Sequence, residues 1–253
     1  RIAEKIQIKI VDFMLEVSVS DKTFNPSIVD RFLWICSSLP ADQLARMAEK
    51  IRRENWIPLM GQANRWFKYD VMFKTLVETK DYKSILVLSK ALLKVRSIEE
   101  MKKESAGLRK DNPFYFPDVT ETKVFYHLAN IDISYAEQAL SMAEKTMTEI
   151  VQLGGEAKDE AVFPCSDINH FYEVDFFTLQ LGQGRRLSYR DDVIELVAVI
   201  KNLAGRLIGE KCGDGNIARR IYTEYIDSLP QSQAMWRLRL FILSLCPEIF
   251  KEE

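Results

Sequence analysis

Along most of the chain, apolar residues recur at three- and four-residue steps, the period that puts them on one side of an α-helix. Ile2, Ile6, Ile10 and Phe13 or Met14 set this stripe, so residues 1–17 read as an amphipathic helix. Asn25-Pro26 is a start signal, because Asn accepts from free N–H groups and Pro at the first helical position has no donor to leave unpaired. The helix it opens carries Ile28, Phe32, Ile35 and Cys36 on one side. Pro40 opens the next, with Leu44, Met47, Ala48 and Ile51 as its stripe and Arg46, Lys50, Arg52 and Arg53 opposite.

Trp66–Thr79 and Tyr82–Val95 read as an antiparallel helix pair joined by the Lys80-Asp81 turn. The second member is apolar nearly all round (Ile85, Leu86, Val87, Leu88, Ala91, Leu92, Leu93), the mark of a helix covered on several sides. Ser97-Ile-Glu-Glu100 has capping-box spacing.

The pattern breaks over 107–117, where Asn112-Pro113-Phe114-Tyr115-Phe116-Pro117 excludes a helix because each Pro drives its predecessor out of the α region. A helix restarts at Asp118-Val-Thr-Glu121. Ser134-Tyr-Ala-Glu137 caps the next, which shows Ala136, Leu140, Ala143, Met147 and Ile150 until Gly154-Gly155 ends it. Residues 156–171 read as loop, and 172–181 fit helix and strand equally. Ser188-Tyr-Arg-Asp191 opens the most regular helix, and two more follow over about 215–229 and 231–245.

These elements predict an all-α chain of antiparallel helix pairs, split into helical layers at 1–111 and 118–253 that can pack as one domain. Two architectures fit: an irregular α-solenoid of the HEAT or tetratricopeptide kind, or a helical bundle. A repeat of about 34 to 47 residues, which a solenoid requires, is not found.

Composition and charge refine this picture little. The chain has 253 residues and a net charge of −2, with no bulk electrostatic bias toward nucleic acid. Its charge is uneven: +6 over 1–117, −9 over 118–175 and +1 over 176–253. The most apolar run, Leu238–Cys246, is interrupted by Arg239 and is too short for a bilayer, so no membrane anchor is expected. Four cysteines without CxxC spacing and no secretory signal point to a reducing, cytoplasmic setting, with Cys36 and Cys246 as small core residues. A first residue that is Arg and not Met suggests a piece of a larger protein.

No catalytic, cofactor or metal-binding motif emerges. Gly182-Gln-Gly184-Arg185-Arg186, with Arg190 just beyond, precedes a helix start and offers backbone amides and arginines to an anion. It has neither the order of a phosphate-binding P-loop nor a βαβ context. Cys165 with His170 admits a metal pair or a nucleophilic dyad, and Cys212 sits in a Gly-rich turn ahead of a helix. His127, among aromatics, reads as structural. Phe114, Tyr115 and Phe116 are either a core plug or a docking edge, and Trp236 is either core or an interaction surface.

The leading expectation is therefore a helical interaction or scaffold module that holds a protein partner. Nucleic-acid or phosphate binding through residues 182–190 is the alternative, and a helical enzyme using Cys165 and His170 is the third.

Overall fold

A computed structural model describes residues 2–18, 26–59, 69–102, 112–116, 119–156, 189–210, 214–231 and 233–251. Among them the fold is all-α, with one isolated β-bridge between Val95 and Phe114. The helices are α1 (Ile2–Glu16), α2 (Pro26–Cys36), α3 (Ala41–Arg53), α4 (Trp56–Leu59), α5 (Tyr69–Glu78), α6 (Tyr82–Leu92) and α7 (Ile98–Lys102). There follow α8 (Val124–Ala129), α9 (Ile133–Glu156), α10 (Tyr189–Glu210), α11 (Gly215–Ile221) and α12 (Gln233–Leu245). Helix α11 runs on into a π-helical turn, Tyr222–Asp227.

The α5–α6 pair forms as its pattern predicts. Lys80 takes a left-handed φ of 57°, its N–H donates to Val77 O, and Asp81 N–H donates to Leu76 O. These two bonds close α5 in the Schellman manner. The Asp81 carboxylate then accepts from Ser84 N–H at 3.1 Å and starts α6. Ser97 and Glu100 also cap reciprocally: Ser97 N–H donates to Glu100 Oε2 at 2.9 Å, and Glu100 N–H donates to Ser97 Oγ at 3.3 Å.

Other boundaries shift for physical reasons. Where a helix was expected from Asp118, Thr120–Thr122 make only a 3-10 turn, because Lys123 turns left-handed (φ 62°) before α8 begins. The cap of α9 is Asp132, which accepts from Ser134 N–H at 3.0 Å and Ser134 Oγ at 2.6 Å. Glu137, expected to complete a box with Ser134, instead holds Arg220 and Tyr225. Helix α9 continues through Gly154-Gly155 to Glu156.

Packing proceeds from neighbour to neighbour. Helix α1 lies on α3, α3 on α5 and α6, α6 on α8 and α9, α9 along α10, and α10 on α11 and α12. One contiguous apolar cluster extends from Val11 to Phe250. The segment between the layers is pinned to it. Asn112 Oδ1 accepts from Phe114 N–H at 2.8 Å, and the Arg96 guanidinium donates to Asn112 O at 3.1 Å. Arg206 of α10 donates to Ala129 O and Ile131 O, which ties the α8–α9 corner down.

Two apolar stripes fall elsewhere than their pattern suggests. Helix α1 buries Val11 and Met14 on α3, so Ile6 (53% exposed), Ile10 and Phe13 (57%) face outward. It is apolar on more than one side and has one principal neighbour. Helix α2 buries Val29, Phe32, Leu33 and Cys36, a face rotated away from Ile28. Lys50, expected on the polar side of α3, is buried, donating to Leu15 O at 2.8 Å and Glu54 Oε1 at 2.7 Å. Cys36 is a free buried thiol, as expected. Cys246 is buried too, but it is disulfide-bonded rather than a free core thiol.

Candidate functional site: a charged groove over the central helix

Helix α6 is apolar nearly all round, and its neighbours cover Ile85, Leu88, Ala91 and Leu92. Leu86 and Val87 stay half-buried because, among the described residues, nothing seals the space between α3 and α9 above them. That space is an open groove of about 700 Å³, within the usual range for binding clefts. Its floor is Leu86, Val87, Ala91, Leu93 and Val95 of the α6 strip, with Met142 from α9.

The walls come from distant segments. Glu49, Arg52 and Asn55 stand at the end of α3. Gln138, Ser141, Met142, Lys145 and Glu149 follow one another at three- and four-residue steps along α9, a wall about 16 Å long at 1.5 Å per residue. Tyr82 and Tyr135, near the starts of α6 and α9, lie 5.7 Å apart between ring centres, so the floor and this wall begin at the same end.

Four cations face two carboxylates on the rim, and they differ in their commitments. Arg52 is held by Glu49 at 3.0 Å. Lys94 donates to Asn55 Oδ1 at 3.2 Å and lies 5.3 Å from the centre of the Tyr115 ring. Lys90 and Lys145 are exposed and have no ion-pair partner among the described residues. Lys90 sits in the last turn of α6, where a cation offsets the partial negative charge of the helix end. Lys145 lies mid-way along α9 and has no helix end to offset.

A second, smaller cavity of about 340 Å³ is bounded by Asp70, Lys74, Thr120, Lys123, Phe125, Tyr126 and Glu195. Here the polar groups hold the fold. Asp70 pairs with Lys74 at 2.7 Å and with His127 Nε2 at 3.4 Å. Burial pushes the Asp70 carboxyl up, but hydrogen bonds from Lys74 and His127 outweigh it and hold its pKa below the ordinary value. His127 is buried and stacks on Phe73 at 4.9 Å. Burial pushes its pKa below that of a free imidazole, and Asp70 opposes this only in part. Beneath, the Asp192 carboxylate accepts from Thr120 Oγ1 (2.6 Å), Thr120 N–H (2.9 Å) and Val119 N–H (3.3 Å).

No protein-family model, curated protein or solved structure matches the chain.

Of the residues singled out in the sequence, Gly182, Gly184, Arg185 and Arg186 lie outside the described residues, as do Cys165, His170 and Cys212. Arg190 stands in the first turn of α10. Phe114 and Phe116 are in the core, 0% and 4% exposed, and offer no docking edge. Tyr115 is half-buried beside the groove, under Lys94, where burial and then Glu100 push its phenol pKa well up. Trp236 is 53% exposed on α12, with the Arg239 guanidinium 5.1 Å from its ring centre. Other described arginines face acids or carbonyls of the same chain: Arg53 meets Glu54, Arg220 meets Glu137 and Glu224, and Arg219 donates to Ile249 O. Among the described residues no group of three or more His, Cys, Asp or Glu side chains is placed to hold a metal, and no helix is long and apolar enough to cross a membrane.

Sequence reasoning missed Lys90, Lys94, Met142 and Lys145. The usable signal was Lys90 and Lys94, four residues apart at and just beyond the end of a helix with the apolar run Ile85–Leu88.

Proposed function

We propose that the chain is a helical protein-interaction module, an irregular stack of helix pairs whose groove over α6 holds a segment of a partner. One observation carries the reading: helix α6, packed on α3, α5, α8 and α9, keeps Leu86 and Val87 half-buried at the bottom of a 700 Å³ groove among the described residues. Half-buried apolar side chains under a charged rim are the arrangement of an interface centre, where an anchor gains from desolvation and the rim sets register. Helix-by-helix packing supports the stack, since it gives α3 and α9 to the groove as two fixed walls. A cytoplasmic setting rests on the sequence alone.

The test is a photo-crosslinking amino acid placed at Val87, with Thr75 on α5 as a control outside the groove. Adducts of defined mass that form at Val87 and not at Thr75, in cells expressing the chain, support the reading. Equal yields at both positions, or none at Val87, defeat it.

A further inference from the structure

Resting on that reading, we propose that the groove takes an acidic amphipathic α-helix of a protein partner, with its apolar stripe on Leu86, Val87 and Met142 and its carboxylates on Lys90, Lys94 and Lys145. The walls decide the form of the occupant. They are helices, and among the described residues no sheet edge is present to pair with an extended peptide, so strand addition has no template. A polyproline segment needs an aromatic-lined trough, and the groove lining contains no aromatic residue. A phosphorylated motif is read by clustered arginines that grip it bidentately. The groove has one arginine, Arg52, and its guanidinium already makes two hydrogen bonds to Glu49 Oε2.

What remains is an apolar floor about as long as three turns of helix, with Lys90 and Lys94 on the α6 strip itself and Lys145 on the α9 wall. Anchors at i, i+3 or i+4 and i+7 reach such a floor from one face of a helix. Lysines on the α6 strip and on the α9 wall favour carboxylates beside that face. Glu49 and Glu149 stand on the rim and repel a uniformly anionic chain, which selects a helix with localised acids over a nucleic-acid backbone. Lys145 gives the best-isolated evidence, since it answers neither a carboxylate nor a helix dipole within the described fold.

The experiment pans a phage library of helical peptides with randomised surface positions on the intact chain, on K90E/K145E and on V87R. The expected result is a consensus of apolar residues at helical spacing with Asp or Glu beside them. Peptides of that consensus, synthesised and labelled, should lose affinity at least about tenfold on K90E/K145E and recover part of it when their acids are changed to Lys. Such double charge reversal is not rescued by a merely structural defect. A consensus with a neutral or basic polar face, or affinity unmoved by K90E/K145E, overturns the acidic partner and leaves the interaction module standing. Enrichment that V87R does not reduce, or no enrichment on the intact chain, overturns both.

Discussion

The groove over α6 and the cavity beside His127 are built from the same materials, helix faces carrying Lys, Asp or Glu over apolar side chains, yet their charges stand differently. Around His127, Asp70 is gripped by Lys74 and the imidazole, and Asp192 closes three hydrogen bonds to the 3-10 turn. Over α6, Lys90 and Lys145 are exposed, with no ion-pair partner among the described residues. The lesson concerns what polar residues beside a cavity are for. Where the acids and the imidazole are engaged by other parts of the chain, that set stabilises the fold. Where the cations stand free above an apolar floor, they are available to a ligand.

Substitutions at the two places should therefore fail in different ways. The largest effect is expected at Asp192. D192A removes a buried carboxylate that accepts three hydrogen bonds, and it should cost about 3 kcal/mol in urea-induced unfolding, where hydrogen bonds to charged groups contribute about 1.5–3 kcal/mol each before relaxation. A loss below about 1 kcal/mol would show that the cavity is not held in this way.

His127 comes next. Its folded pKa lies below the unfolded one, so the folded state resists a proton that the unfolded chain accepts. The stability it gives is present above the unfolded pKa and is lost as pH falls from about 7 toward 5. Melting temperature should drop over that window in the wild type and drop less in H127Q, which should itself cost about 1 kcal/mol at neutral pH. The Asp70 carboxyl, held below its ordinary value, acts at lower pH with the same sign: stability present above its unfolded pKa and lost as pH falls through the folded one. A wild-type melting temperature that is flat or rises on acidification would contradict the placement of His127.

The smallest effect on stability belongs to the groove. K90E and K145E, at exposed and uncommitted positions, should each change unfolding free energy by no more than about 0.5 kcal/mol. A larger loss would mean that these lysines hold the fold, and the contrast between the two regions would collapse.

The sequence made local signals legible and left their assembly hidden. The Lys80-Asp81 turn and the Ser97–Glu100 box depend on residues within a few positions of one another, and both form as read. The cap of α9 was misassigned because Asp132 and Ser134 are both competent caps, and Glu137 was drawn to Arg220, 83 residues away. The outward stripe of α1 was equally hidden, since a helix apolar on two sides does not say which side its principal neighbour will cover. The all-apolar surface of α6 correctly marked a central helix. Its gap was not visible, because the gap is defined by Glu49–Asn55 on one side and Gln138–Glu149 on the other.

The most direct test of the contrast is a methyl and amide NMR titration of the intact chain with a peptide recovered from the helical library. The expected perturbations fall on Leu86, Val87, Met142 and Lys145, with Thr120, Phe125 and Glu195 unmoved. Perturbations centred on Thr120, Phe125 and Glu195, with the floor of the groove silent, would contradict the account.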